Sequence, residues 1–262
     1  MRSAARCLRA RLRQQPLRRA PCLWLGLSLS LSQSGCFEGP RYRGPRSDHF
    51  DGTRFHDGKD HAVGFWDLLR WRLHRERSAD GWPERLPPEQ TPPGPTPPQR
   101  VAAGRLRVTF INHATMLVQL DGFNVLTDPI YSERASPFSG VGPRRVRPPG
   151  VPFEQLPPID LVLLSHNHYD HLDLPTLRRL WARDRPRVLC GLGNRALLVG
   201  GGLPDPSGQR VQDLDWWQQT AVGALRVTSV PNQHGSRRGA LDGDQTLWTA
   251  FVVESPRAGA FY

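Results

Sequence analysis

Side chains that can bind a metal are concentrated in one short stretch of the sequence, residues 165–173. Three imidazoles and a carboxylate fall within six residues there: His166, His168, Asp170 and His171. Neutral imidazole and carboxylate are ligands that hold zinc in proteins. The 262-residue chain has nine histidines, so a chance cluster on a polar surface loop is a poor explanation for three of them lying so close together. The stretch therefore predicts a metal site.

The spacing within this stretch suits two metal ions. His166 and His168 are two residues apart and can share one ion, whereas the adjacent Asp170 and His171 can be aimed at a second ion beside the first. Two metals about 3.5–4 Å apart bracket a water, lower its pKa and hold the oxygens of a displaced group. This chemistry is hydrolysis, and we assign catalysis to Asp170 and His171.

The elements next to the stretch explain how it would be positioned. Residues 159–164 form a nearly continuous apolar run, which is typical of a strand buried on both faces. The metal-binding stretch would thus begin where a buried strand ends. A helix over residues 174–182 follows, with Asp173 as its N-cap and Pro175 in its first turn.

Hydrophobic periodicity predicts the remaining elements. Asp121-Gly122 is a strong two-residue hairpin signal between two strands. The mixture of predicted strands and helices, with buried strands, indicates an α/β sandwich. The predicted strands are 106–111, 116–120, 123–126, 187–190, 225–230 and 246–254, and the other predicted helices are 64–73 and 194–199.

Composition excludes several classes of protein. With 38% hydrophobic and 23% charged residues, the chain is neither a polytopic membrane protein nor fully disordered. The net charge of +11 would suggest nucleic-acid binding, but seven arginines and no acidic residue lie in residues 1–35. Removing these seven charges leaves +4 for residues 36–262. This excess gives weak support to an anionic substrate and none to a nucleic-acid partner.

Residues 1–36 are predicted to be a targeting segment. The arginine-rich start precedes the nine-residue apolar run 23–31, too short for a membrane-spanning helix of about 20 residues. Ser34-Gly35 before Cys36 resembles a bacterial lipoprotein cleavage site, although Gln33 departs from that pattern. We expect export from a bacterial cytoplasm, with either a periplasmic or a lipid-anchored product. The alternative is a basic N-terminal tail.

The rest of the chain divides by composition. Residues 37–82 form a polar N-terminal extension, residues 83–99 a proline-rich connector and residues 100–262 the predicted catalytic domain. If Cys36 is lipidated, Cys190 stands alone in the mature chain, so a disulfide framework and a cysteine zinc site are both excluded. Cys190 is expected to be a small buried hydrophobe.

The pattern His-x-His-x-Asp-His after an apolar strand resembles the signature of the metallo-β-lactamase superfamily. The resemblance runs from about residue 44 to residue 262 and is interrupted around the prolines. Neighbouring motifs resemble the phospholipases D that hydrolyse N-acylphosphatidylethanolamine, and their bacterial relatives. These motifs are 112–115, 126–131, 132–137, 142–145, 156–160, 213–217, 233–234 and 246–248.

The resemblance implies a four-layer αββα sandwich that is incomplete at its C-terminus, and a site for two zinc ions. It assigns His166, His168 and His234 to the first zinc, and Asp170 and His171 to the second. By its own sequence context, His234 is an unremarkable histidine after a strand. The implied activity is hydrolysis of a phosphodiester in an N-acyl phospholipid at a membrane surface, by a metal-bound hydroxide. The alternatives are another ester or lactone hydrolase of this fold, or an inactive fragment.

Three further residues are expected near the site. Asp128 resembles the family's buried aspartate that braces the metal loop, and is otherwise an ordinary turn residue before Pro129. His113 is expected near the site as a neighbour and not as a ligand. Gly235 stands where relatives carry an aromatic residue, which would widen the mouth of the site.

Two aromatic and three basic residues also have alternative roles. Trp216 and Trp217 could line a lipid groove, but core packing is the favoured reading. Arg144, Arg145 and Arg147 could meet a phosphate or the membrane surface, or could belong to a solvated loop.

The resemblance also implies two metal ligands in positions that would follow residue 262: an aspartate that bridges both zincs, and a final histidine. Without them the second zinc site is incomplete in the printed sequence. We therefore expect the chain as printed to be a truncated product that is poorly soluble and hydrolyses phosphodiesters at background rate. Strand 246–254 is expected to present an exposed apolar edge, which is an aggregation hazard.

Overall fold

The computed structural model describes residues 39–58, 65–75, 81, 83–138, 140–239 and 241–262. The predicted targeting segment, residues 1–36, lies outside this part of the chain, as do Cys7, Cys22 and Cys36. No helix within the described part has the length and apolar character needed to cross a membrane.

The larger of two sheets has six strands in chain order. The strands are β1 (Leu106–Asn112), β2 (Thr115–Leu120), β3 (Phe123–Thr127), β4 (Leu161–Leu164), β5 (Arg187–Gly191) and β6 (Val211–Leu214). β1 to β3 pair antiparallel, and β3 to β6 pair parallel. Asp121 and Gly122 have φ values of 45° and 82°, as a type I′ hairpin turn requires, so the predicted hairpin is confirmed.

The smaller sheet is antiparallel throughout, in the order β10-β9-β8-β7. Its strands are β7 (Gln219–Val222), β8 (Leu225–Val230), β9 (Ala250–Ser255) and β10 (Gly259–Phe261). The periodicity did not predict β6, β7 or β10, because strands of three or four residues with polar or small side chains carry too little pattern.

Both faces of β4 are buried, as expected. The helices are α1 (Phe65–His74), α2 (Leu174–Asp184) and α3 (Asn194–Gly200). On one face, Val162 and Leu164 pack with residues of α2 and α3, and the predicted buried Cys190 lies in this cluster at 1% exposure. On the other face, Leu161 and Leu163 pack against the smaller sheet. The described elements thus form three of the four expected layers.

The outer face of the smaller sheet carries polar side chains. Arg226 on β8 and Glu254 on β9 are directly opposite each other and form an ion pair with a 2.6 Å Nη2–Oε1 distance. The side chains of both remain partly exposed to solvent, at 61% and 36%.

The apolar edge expected at residues 246–254 is only partly present. The strand begins at Ala250, pairs with β8 over residues 250–254, and pairs with β10 over residues 253–255. The preceding residues leave this sheet, since Leu247 N donates to Leu192 O and Thr249 N donates to Ser165 O. Leu247 and Trp248 are consequently buried, at 0% and 2% exposure.

Exposed apolar side chains lie instead on β1, an edge strand of the larger sheet. Leu106, Val108 and Phe110 alternate on one face and are 43%, 51% and 48% exposed. Exposed apolar side chains on an edge strand favour aggregation, so we expect β1 to be an aggregation-prone edge as well.

The start of the described chain packs on the sandwich. Phe50 and Phe55 are buried against Leu247 and Trp248. The proline-rich connector is also tied down, because Leu86 N donates to Val146 O and Gly94 N donates to Gly150 O. Residues 39–58 are thus part of the packed structure, although their polar composition had suggested an extension.

The predicted N-cap of α2 has a different role. Asp173 occupies the N-cap position without a side-chain capping bond. Its carboxylate instead accepts hydrogen bonds from Tyr131 N, Ser132 N and the Oγ atoms of Ser132 and Thr176. This joins the start of α2 to the segment after β3.

Asp121 in the β2–β3 turn ties the two sheets together. Its carboxylate accepts hydrogen bonds from Ser255 Oγ and from the backbone N–H groups of Gly104, Arg257 and Ala258. These bonds, led by those of Ser255 and Gly104, hold the pKa of Asp121 far below its usual value.

We expect Asp121→Asn to lower the Tm, because an amide cannot accept at both terminal atoms. A carboxyl group whose pKa is lowered by folding stabilises the fold above its unfolded pKa of about 4, and loses this effect as pH falls through the folded value. The Tm difference from wild type should therefore be full near neutral pH and shrink in acid, as followed by calorimetry. Asp51→Asn is the control, since Asp51 accepts from Thr53 N and Arg54 N within one local turn. An equal Tm loss in both variants would contradict the tie between the sheets.

Candidate metal centre

Three histidines from two different loops converge beyond the end of β4. His166 and His168 follow β4, and His234 follows β8. Nε2 of His166 lies 2.8 Å from Nδ1 of His168 and 3.0 Å from Nε2 of His234. The structure thus brings together the three residues that the sequence assigned to the first metal, including His234, which lies 68 residues from His166.

Burial favours the neutral form of these three imidazoles. His166 is 3% exposed, and burial together with the neighbouring histidines moves its pKa far below the usual value. Burial is also the main cause of the lowered pKa of His168 and of His234. A neutral imidazole offers the lone pair that a metal requires. Three such nitrogens within 4.8 Å of one another form a donor set that fits a divalent metal.

A second group of ligands adjoins the first. Oδ2 of Asp170 lies 2.9 Å from Nε2 of His113 and 3.5 Å from Nε2 of His171. The rings of His166 and His171 are 4.1 Å apart between centroids, so the two groups are neighbours. A carboxylate with two imidazoles fits a second divalent metal.

His113 contacts the second ligand group. It lies in the turn between β1 and β2, and its Nε2 atom is close enough to Asp170 to share a metal with it or to hydrogen-bond to it. Its φ of 44° is uncommon for a residue other than glycine, and such backbone conformations cluster at functional sites. The sequence feature that could have pointed to this contact is a histidine in a tight turn between two predicted strands.

Asp128, the residue after β3, braces the loop that carries the ligands. Oδ1 accepts from Ser165 N at 2.8 Å, and Oδ2 lies 2.7 Å from Ser165 Oγ and 2.8 Å from His171 Nδ1. Burial opposes a charge on His171, but the hydrogen bond and the charge of Asp128 outweigh it and raise the pKa of His171. Because Nδ1 of His171 is held by Asp128, its Nε2 is left for a metal. These are the contacts expected of a bracing residue, and Ser165 is a participant that the sequence did not single out.

A cleft of about 600 Å³ opens beside these ligands. Its lining includes His113, His168 and Asp170. Four arginines also line it: Arg144, Arg145, Arg147 and Arg237. The cleft therefore places positive charge beside the candidate metal ligands, which suits an anionic ligand.

The arginines of this cleft are not equivalent. The Arg145 guanidinium donates to the carbonyls of Ile130 and Ser132 at 3.2 Å and 2.8 Å, which fixes its own loop. Arg144 Nε donates to Glu133 Oε1 at 2.6 Å, while about half of the Arg144 side chain stays exposed. Arg147 stacks on the ring of Phe110. Of the three arginines in the sequence prediction, Arg144 and Arg147 are thus the ones that remain available to the cleft.

The neighbouring residues Trp216 and Trp217 have different environments. Trp216 stacks on His49 with ring centroids 4.5 Å apart, and its Nε1 donates to Trp248 O. Trp217 is 69% exposed, so the core reading is wrong for this residue. The difference arises because Trp217 has a φ of 68°, which turns the chain between β6 and β7.

Gly235, the residue after His234, has little room for a side chain. A Cβ atom at this position would lie 2.8 Å from Oδ1 of Asp244, the oxygen that accepts from Ser236 N. A larger residue there would require Asp244 to move.

A family model described as a beta-lactamase superfamily domain matches residues 123–262, more than half of the chain. This range contains β3 to β10 and all proposed ligands except His113. The chain belongs to the metallo-β-lactamase superfamily, and the mixed α/β sandwich with its paired ligand groups agrees with that assignment.

Relatives with a curated description extend the resemblance. An uncharacterized protein of Mycobacterium tuberculosis is 38% identical over 195 residues, which are 74% of this chain and 50% of that protein. The N-acyl-phosphatidylethanolamine-hydrolyzing phospholipase D 1 of Caenorhabditis elegans is 33% identical over 154 residues, 56% of this chain and 43% of that protein. The chain thus spans half or less of the length of these relatives.

Solved structures that the chain matches in part include an isothiocyanate hydrolase from Delia radicum gut bacteria, at 26% identity and a TM-score of 0.42. That match covers 57% of this chain and 58% of the other. The diiron β-hydroxylase CmlA from Streptomyces venezuelae matches at 22% identity and a TM-score of 0.40, over 56% of this chain and 27% of the other.

We expect Asp128→Asn to weaken metal binding about 10- to 100-fold, the usual effect of removing an outer hydrogen-bond partner of a ligand. The cause is that an amide cannot accept from both Ser165 and His171 as the carboxylate does. Competition with a chromogenic chelator measures the affinity. Asp205→Asn is a matched control, because Asp205 is equally buried and accepts two backbone N–H bonds, from Arg210 and Val211. Equal affinity losses in both variants would refute the bracing role.

The first ligand group should bind Zn²⁺ more tightly than the second. The first offers three imidazoles, whereas Asp170 and His113 of the second are 41% and 51% exposed and have more freedom to move. In a stepwise Zn²⁺ titration, His166→Ala should remove the tight phase and His171→Ala the weak phase. If both variants lose the same phase, the division into two unequal sites is wrong.

Proposed function

We propose that this chain carries the zinc-binding part of a hydrolase that cleaves a phosphodiester in an N-acyl phospholipid, as a phospholipase D does. The observation that carries the proposal is one cleft lined both by candidate ligands from the two groups and by arginines. Metal ligands supply the means of hydrolysis, and the arginines suit a substrate with a negative charge beside the bond to be cleaved.

His166, His168 and His234 would hold one zinc, and Asp170 and His171, with His113 beside them, would hold the other. When bound, zinc supplies Lewis acidity that lowers the pKa of water and stabilises charge on phosphoryl oxygens. Asp128 keeps Nδ1 of His171 hydrogen-bonded, so that the other ring nitrogen faces the site. The burial that keeps the first three imidazoles neutral also keeps them ready to bind metal at neutral pH.

The arginines bear on the choice of substrate. Arg144 and Arg147 reach the cleft from the loop between β3 and β4, and Arg237 reaches it from the loop that carries His234. Guanidinium groups pair with phosphate through two parallel hydrogen bonds, so they would orient a phosphodiester over the ligands. This supports a phosphate ester over a neutral ester or lactone.

Similarity to a phospholipase D supports a lipid as the source of that phosphodiester. Export of the chain, with or without lipidation of Cys36, would bring the cleft to a membrane surface where such a substrate lies. The membrane as a partner and the exported location are parts of this proposal.

The test uses the full-length product of the gene that encodes these residues, loaded with Zn²⁺. Vesicles containing N-acylphosphatidylethanolamine should yield N-acylethanolamine and phosphatidic acid, and chelation or His166→Ala should stop the reaction. Arg144→Ala should raise KM for the anionic lipid more than it lowers kcat. Arg179→Ala is the control, since Arg179 pairs with Glu154 and stacks on Phe153 of a different surface.

Two outcomes would overturn the proposal. Hydrolysis of a lactone or carboxylic ester, with the phospholipid left intact, would identify the other enzyme class of this fold. Zinc loading without turnover of any ester would favour an inactive protein.

A further inference from the structure

The loop that carries four of the candidate ligands is held by an arginine from outside it. Nη1 of Arg238 donates to two carbonyls of this loop, Asn167 O and Leu172 O, each at 2.9 Å. Asn167 lies between His166 and His168, and Leu172 directly follows His171. One guanidinium nitrogen therefore joins the first ligand pair to the end of the second.

A ring contact adds to this arrangement. The Cζ atom of Arg238 lies 3.9 Å from the centroid of the Tyr169 ring, in the middle of the same loop. Guanidinium and aromatic faces attract each other at this distance. The planar group of Arg238 is thus held between the loop backbone and a loop side chain, a geometry that a lysine ammonium does not reproduce.

The backbone of Arg238 is itself fixed. Asp242, which is 2% exposed, accepts from Arg238 N at 3.1 Å, from Gly239 N at 2.8 Å and from Gly39 N at 2.5 Å. A buried carboxylate surrounded by backbone donors holds them in one geometry, because leaving any of them unpaired is costly. Arg238 therefore reaches the ligand loop from an anchored position, four residues after His234.

We propose that Arg238 is a positioning residue of the metal centre: it fixes the loop 166–172 against the segment that carries His234, so that ligands from both meet at the same point. No described contact gives Arg238 a place among the ligands, and the cleft lining does not include it. Its effect is on the arrangement of the other side chains. The inference rests on the metal centre of the proposed function and is independent of the substrate.

The variant Arg238→Met keeps most of the apolar stem and removes the donors. We expect it to weaken Zn²⁺ binding at both ligand groups, about 10- to 100-fold, and to change the visible absorption of the Co²⁺-substituted protein, which reports ligand geometry. Arg238→Lys should recover only part of the affinity. In the metal-free protein, amide hydrogen exchange of residues 166–172 should become at least tenfold faster.

Arg183→Met is the matched control. Arg183 also donates to loop carbonyls, those of Phe153, Leu156 and Pro157, and its Cζ atom lies 5.0 Å from the centroid of the Phe153 ring. This variant should lower stability without altering metal affinity, the Co²⁺ spectrum or exchange of residues 166–172. A purely structural role of Arg238 would make the two variants alike.

The outcomes separate this inference from the proposed function. If Arg238→Met leaves metal affinity and loop exchange at wild-type values, or if Arg183→Met changes them equally, the inference is overturned and the metal centre stands. If the wild-type protein binds no metal while loop exchange still rises in Arg238→Met alone, the positioning role is supported and the proposed function fails.

Discussion

The site depends on the carboxylate of Asp128, which joins the ends of two neighbouring parallel strands. β3 and β4 pair in parallel, with Thr127 opposite Leu163, so the residues that follow them emerge at the same edge. Asp128 comes after one strand and Ser165 after the other, and the carboxylate accepts from both the backbone and the side chain of Ser165. Because Asp128 is 6% exposed, its charge must be satisfied by these donors, and this fixes where the ligand loop starts.

The same carboxylate determines which nitrogen His171 presents, while burial determines the protonation of the other ligands. His166 and His168 are favoured in the neutral form because little water reaches them. His171 is affected in the opposite direction, since Asp128 raises its pKa. The two ligand groups therefore have different electrostatic surroundings. This difference is consistent with two metal sites of unequal affinity. The arginines line the same cleft as His113, His168 and Asp170 of these groups.

Local patterns predicted the parts of this arrangement that are local. The apolar run before residue 165 predicted β4, and the histidine spacing predicted four candidate ligands in one loop. His234 could be assigned only through family resemblance, because it follows a strand of the smaller sheet and meets His166, which follows a strand of the larger sheet, across a gap of 68 residues. The contact of His113 with Asp170 depends on the β1–β2 turn, which brings a residue 57 positions away to the ligand loop.

The errors in the fold have a similar origin. β10 has three residues, Gly259, Ala260 and Phe261, whose composition carries no period, yet it pairs with residues 253–255 of the strand that is expected to be an exposed edge. In the sequence, Phe50 and Phe55 are isolated aromatic residues in a polar segment. Tertiary packing buries them against Trp248. Single side chains that bury against distant segments leave no signature in a one-dimensional pattern.

Anomalous X-ray diffraction at the zinc edge, from crystals grown with Zn²⁺, tests the central claim most directly. The account predicts two peaks: one among the ring nitrogens of His166, His168 and His234, and one beside Asp170 and His171. A map that lacks a peak at either group, or places zinc only on other residues, would contradict it.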